Sequence, residues 1–158
     1  MGIYRGYESA TGPSGGPTPG GLALMAWYLG RYHDRRSPRP ANLGIYNPKR
    51  LGNGWSIHAE GRAADLGTAP YSKPPWGWEL AEAFRLNSDE LGIQCVIFDR
   101  KIWSGAYPDA GWRDYHGSNP HTGHLHTELS RDAAQSLTEQ RIHEVGRFPD
   151  LRFIAQLR

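Results

Sequence analysis

Apolar residues at Leu22, Leu24, Met25, Tyr28, Leu29 and Tyr32 recur at helical spacing. The prolines of SPRPAN end that helix. LGIYNPKR reads as a short strand or extended segment, and NGWSIHAEGRAADLGTA opens like a turn and carries a strand around 63–66. Pro74 and Pro75 precede a second helix, WGWELAEAFRLNSDELG, that ends near Gly92. IQCVIFD is the most strand-like run, Asp99-Arg100-Lys101 reads as a turn, and KIWS returns as the second strand of a hairpin. Residues 105–123 form a long loop rich in glycine, proline, aspartate and aromatic residues, and long ordered loops tend to be functional. HLHTELS alternates as a strand. Ser130 then caps a third helix, RDAAQSLTEQRIHEVG, with Asp132 in its first turn. The order predicts an α+β fold, a small and mainly antiparallel sheet flanked by helices. Residues 1–21, with ESATGPSGGPTPGG, read as a flexible N-terminal segment, leaving 22–158 as a single domain.

Bulk properties narrow the function classes. A chain of 158 residues with net charge +2 is one mildly basic domain, and that charge demands no nucleic acid. The dense basic patch Arg35-Arg36-Ser37-Pro38-Arg39 is short and reads as a solvated helix end. No run approaches the ~18 apolar residues of a membrane helix, so no membrane insertion is expected. No apolar stretch follows Arg5, so no secretory signal is visible. The lone Cys95 allows no intramolecular disulfide and sits in the apolar strand, where a thiol is inert. Six tryptophans are many for this length, and some are expected to line a groove.

The candidate chemistry lies in HTGHLHTELS, with three histidines in six positions. On a strand, His124, His126 and Glu128 share one face, and Leu125, Thr127 and Leu129 take the other. Two imidazoles and a carboxylate in line make half of a zinc site, which needs a further ligand from elsewhere. SIHAEGRAADLG offers His58 and Asp65, with Gly61 between them where the chain can turn. Each residue also has an ordinary reading. The His-x-His could face solvent on an edge strand, Asp65 could be a turn carboxylate, and Ser56 could make a local turn bond. Glu60 could pair with Arg62, His121 could hold a loop, and Arg50 could be a solvated charge.

Ser56-x-His58-x-x-Gly61-x-Ala63-x-Asp65 resembles the signature of the D-alanyl-D-alanine carboxypeptidase and endopeptidase family of zinc enzymes, grouped with lysostaphin-like and hedgehog-like metallopeptidases. His124-Leu125-His126 resembles the late His-x-His of that group. GIQCVIFDRKIWS and GWRDYHGSNPHTGHLHTELS resemble a branch found in actinobacteria and their phages. The resemblance covers roughly residues 40–130. It implies a hedgehog/D,D-peptidase-like fold with Zn2+ held by His58, Asp65 and His126. His124 is implied as proton acceptor or transition-state donor, with His121 assisting. Many members carry a glutamate general base three residues before the last ligand; here that position is Gly123, with Glu60 and Glu128 as fallback bases. Ser56, Arg50, Arg62, Trp112 and Trp103 are the expected substrate-side residues, with Lys49, Trp55 and Tyr115 beside them. The implied reaction is hydrolysis of peptide bonds next to D-amino acids in peptidoglycan stem peptides, as carboxypeptidase or endopeptidase. That implies action on the bacterial cell wall, as a phage-released or virion-associated protein, monomeric unless part of a virion. The alternatives are a non-catalytic zinc-containing peptidoglycan-binding module and a metal-free sugar-binding domain built on the tryptophans.

Overall fold

The computed structural model describes residues 2–33, 40–68, 75–146 and 148. The elements are α1 (Pro19–Arg31), β1 (Ala41–Asn42), β2 (Arg50–Leu51), β3 (Gly54–Trp55), β4 (Ala63–Gly67), α2 (Pro75–Leu86), α3 (Ser88–Leu91), β5 (Ile93–Phe98), β6 (Lys101–Ser104), β7 (Arg113–Asp114), β8 (His124–Leu129), α4 (Arg131–Ser136) and α5 (Glu139–Val145). Two short 3-10 turns, Ile57–Glu60 and Pro108–Ala110, complete the order. The fold is α+β. One six-stranded antiparallel sheet runs β1-β4-β8-β5-β6-β7, and β2 and β3 form a separate hairpin. Among the described residues, no helix is long and apolar enough to cross a membrane.

The two faces of the sheet follow from the alternation. Ala64 and Leu66 of β4, Val96 and Phe98 of β5, and Leu125 and Leu129 of β8 join the helices in one core with Leu24, Trp27, Tyr28, Leu80 and Phe84. The opposite face carries Asp65, His126 and Ile97, which lie in register across β4, β8 and β5. A strand at the centre of the sheet therefore presents the histidines, and the edge-strand reading of His124 and His126 falls. Burial pushes the thiol of Cys95 well above its ordinary range.

Local chemistry explains most element ends. Thr18 accepts from the Gly21 N–H and Pro19 sits at the first helical position, so α1 starts three residues before the first periodic apolar residue. Ser130 accepts from Ala133 N–H and starts α4. The expected long third helix is two. Leu137 takes an extended conformation, and Thr138 recaps the chain through the Arg141 N–H. The second helix is likewise split before Ser88, and left-handed Gly92 ends it. Asp99 and Arg100 both take positive φ and make the two-residue hairpin turn between β5 and β6. The turn is braced by the histidine loop: Asp99 N–H donates to His121 O and Arg100 N–H to Pro120 O, each at 2.9 Å.

Two expectations change. The Gly/Pro-rich N-terminal segment is no free tether. Gly6 N–H donates to Gly105 O, Ser14 N–H to Ala59 O, and Thr18 N–H to Gly61 O, so the segment lies along the domain and is part of it. Within LGIYNPKR only Arg50 belongs to a strand; the sheet strand falls just before it, at Ala41–Asn42. The patch at 35–39 lies outside the described residues.

Candidate metal centre

The spacing Ser-x-His-x-x-Gly has a local cause. Ser56 caps the 3-10 turn, its hydroxyl accepting from the His58 N–H at 3.2 Å. Gly61 closes the turn at φ 66 and returns its N–H to His58 O. A Cβ at Gly61 would collide with the carbonyl of Gly16 in the N-terminal segment, so the position needs glycine for space as well as for φ. The chain then enters β4, and Asp65 faces His126 across the ladder.

Three donors converge. His58 Nε2 lies 3.2 Å from Asp65 Oδ2, and His126 Nδ1 lies 3.0 Å from Asp65 Oδ1. One ligand atom from each of the three residues lies within 4.8 Å of the others. A tetrahedral zinc with bonds of ~2.0–2.1 Å holds its donor atoms roughly 3.3 Å apart. The tautomers fit the same purpose. His58 Nδ1 lies 2.8 Å from Ile45 O, which can only accept, so Nδ1 donates there and Nε2 is the nitrogen that faces Asp65 and could ligate a metal. His126 Nε2 lies 2.9 Å from Glu128 Oε1, leaving Nδ1 toward Asp65. The donor set suits a divalent metal on chemistry as well as on spacing.

Two further histidines close over these. His124 Nε2 is 3.8 Å from Asp65 Oδ1. His121, held in the left-handed region at φ 54, places its ring 4.8 Å from that of His124 and 5.4 Å from that of His126. Among the described residues, His124 Nε2 and His121 Nδ1 are buried without a hydrogen-bond partner. Burial, joined by the neighbouring His126 and His124, pushes His121 down to about 4. Burial also lowers His124. Both rings are therefore neutral at pH 7, with free nitrogen capacity beside the donors. Burial alone would raise Asp65 and lower His126, but their mutual attraction wins. Asp65 falls well below the carboxylate range, and His126, between Asp65 and Glu128, rises to about 10.

The donors open on a cavity of about 240 Å³, lined also by Tyr7, Lys49, Trp55, Ser56, Tyr115 and Asn119. A larger hollow of about 470 Å³ around Glu60 and Arg131 contains none of the histidines, so donor chemistry rather than size marks the site.

Several substrate-side expectations are corrected. Arg62 is 1% exposed. Its guanidinium bonds Glu60, Leu129 O and Glu8 O, so it clamps the N-terminal segment to the sheet and reaches no substrate. Glu60 is thereby paired with Arg62 and Arg131, outside the cavity that the histidines line. Trp103 is fully buried in the core and walls nothing. Trp112 stacks edge-on against Trp78 and donates to Glu82 Oε2 at 2.7 Å, away from the cavity. Arg50 lies over the Trp55 ring at 4.5 Å and does not line the cavity, whereas its neighbour Lys49 does. Ser56 lines it, with its hydroxyl already used in the cap. Glu128 is bonded to His126. Tyr7, Gln94 and the carbonyl of Ile45 have no sequence signal; only the fold brings them here.

A family model described as the VldE C-terminal domain matches residues 22–126. No curated protein and no solved structure matches the chain.

Proposed function

The chain belongs to the VldE C-terminal domain family, and from its site we propose a zinc-dependent hydrolase of peptide bonds next to D-amino acids in peptidoglycan stem peptides. The observation that carries this reading is the convergence of His58, Asp65 and His126 beside an unpartnered His124 nitrogen. The choice of substrate rests on the likeness of the Ser56–Asp65 and His124–His126 motifs to those of the D-alanyl-D-alanine peptidases.

In this reading His58 Nε2, an Asp65 oxygen and His126 Nδ1 hold the ion. When bound, zinc supplies Lewis-acid polarisation of the scissile carbonyl and a more acidic attacking water. The chain's own residues do the rest. His124 Nε2, neutral and unpartnered, accepts the water's proton and passes it to the leaving amine. His121 packs on His124 and keeps bulk water from that nitrogen. Lys49, exposed at the cavity, meets a free carboxylate of the stem peptide as a point charge. Trp55 and Tyr115 wall the cleft. The site of action is the bacterial cell wall, reached by release from a phage-infected cell or on a virion.

One observation favours a second reading, a non-catalytic zinc-containing peptidoglycan-binding module. Gly123 leaves the position three before His126 without a carboxylate. A single experiment separates the two: elemental analysis of untagged protein, with mass spectrometry of muropeptides digested with and without chelator. Stoichiometric zinc and chelator-sensitive new amine termini are expected, and both are expected to vanish in His58→Ala. Zinc without cleavage selects the binding module. A His58→Ala protein with full zinc and full cleavage overturns both.

A further inference from the structure

We propose that Glu128 is a positioning residue of the metal centre, held in place by Gln94 and by the segment that precedes α1. This rests on the metal-binding reading above. His126 stands between two carboxylates, Asp65 at 3.0 Å from Nδ1 and Glu128 at 2.9 Å from Nε2. Carboxylates accept and do not donate, and a neutral imidazole has one N–H. With a cation between Nδ1 and Asp65, the remaining N–H sits on Nε2 and donates to Glu128. That bond sets the tautomer and the rotation of the ring, so the ligand nitrogen points at Asp65.

Glu128 is itself tied down. It is 6% exposed. Its second oxygen accepts from Gln94 Nε2 at 3.2 Å. Gln94 is the extra residue of a bulge between β5 and β8, which turns its side chain off the regular ladder. The same amide grips the backbone of Glu8, with Oε1 accepting from the Glu8 N–H at 3.0 Å and Nε2 lying 3.2 Å from Glu8 O. Tyr7 and Glu128 line the same cavity, and the Glu128 carboxylate, after burial, raises the Tyr7 phenol. A line of polar contacts therefore runs from the backbone at 7–8 through Gln94 and Glu128 to His126 and Asp65. Charge agrees with this role: a dication, Asp65 and Glu128 sum to zero. Glu128 lines the cavity, but both of its oxygens already accept, Oε1 from His126 and Oε2 from Gln94, which suits it to holding the ring rather than to taking a proton.

The test measures metal rather than turnover. Zinc affinity is determined by chelator competition for the wild-type chain, Glu128→Gln, Glu128→Ala and Tyr7→Phe. The visible spectrum of each Co(II)-loaded protein reports ligand geometry, and circular dichroism of the metal-free proteins reports folding. Glu128→Ala is expected to bind zinc about 10- to 100-fold more weakly, with shifted cobalt bands. Glu128→Gln, which keeps an acceptor and loses the charge, is expected to fall between it and wild type. Tyr7→Phe, at a residue 40% exposed, is expected to lose ~2- to 10-fold. A folded Glu128→Ala with wild-type affinity and spectrum overturns the proposal. If Glu128→Ala does not fold, Tyr7→Phe decides, and unchanged affinity there overturns it. A wild-type chain that binds no zinc overturns both this proposal and the metal reading. Wild-type binding with unaltered variants overturns this one alone.

Discussion

If zinc binds as proposed, it competes with a proton for His126, and the competition has a calculable size. In the metal-free protein burial disfavours the imidazolium, but Asp65 and Glu128 outweigh burial and raise its pKa to about 10 from the ordinary 6.5. At pH 7 the ion must displace a proton held across a gap of about three pH units, a cost of about 4 kcal/mol, or on the order of 10³ in apparent affinity. Between pH 7 and 9 the logarithm of the apparent zinc association constant is expected to rise by about one per pH unit, and to level off above about 10. Titration calorimetry in two buffers of different ionisation enthalpy is expected to show about one proton released per zinc. The stability of the metal-free chain carries the same signature. A pKa raised in the folded state contributes stability that is fully present below about 6.5 and is lost as pH rises towards 10. The melting temperature of the metal-free chain is therefore expected to fall across that window through this group, and that of the zinc form is not. A zinc affinity flat between pH 7 and 9, with no proton released, would refute the claim that Asp65 and Glu128 hold a proton on His126 in the metal-free site.

Three further outcomes are expected. Gly61→Ala forces a left-handed alanine into the Gly16 carbonyl and is expected to cost about 2–4 kcal/mol in urea unfolding; a loss under ~0.5 kcal/mol would sink that account. For Glu60, burial works against ionisation, but Thr11, Arg62 and Arg131 hold the carboxyl down to about 2. That contributes stability present above about 4.5 and lost as pH falls towards 2, worth ~1–3 kcal/mol after screening, and Glu60→Gln is expected to flatten this acid limb in thermal melts. His124→Ala is expected to keep zinc affinity within about threefold while muropeptide cleavage falls by about 10²–10⁴; undiminished cleavage would place the proton on another group.

Much of the fold was readable because its signals are local. Alternation in HLHTELS placed His124, His126 and Glu128 on one face, and the ladder sets Asp65 opposite His126. The Ser130 cap and the hairpin at 99–100 needed only neighbouring residues. What escaped was long-range. Arg62 reads as a surface cation until Glu8 O, Leu129 O and Glu60 surround it. Trp103 and Trp112 are indistinguishable by sequence from cleft residues, and packing alone assigns them to the core and to Trp78. The N-terminal segment looks like a tether because glycine and proline dominate it, yet its bonds are made by backbone, which composition does not report. The helix break at Leu137 follows from Thr138 capping, a polar signal within an otherwise helical run.

The span by which this chain is recognised stops at His126, partway along β8. Thr127 still pairs with Ala64 and Val96, Glu128 with Ala63 and Cys95, and Leu129 with Ile93. Ala133, Leu137 and Ile142 still roof the core. A fragment trimmed to 22–126 would halve the middle strand, strip the lid from the hydrophobic interior and leave the Arg62 guanidinium without two of its three partners. The stretch matched by the family model is thus shorter than the stretch that packs as one body, and boundaries for grafting or recombining this module belong before Gly2 and after Phe148.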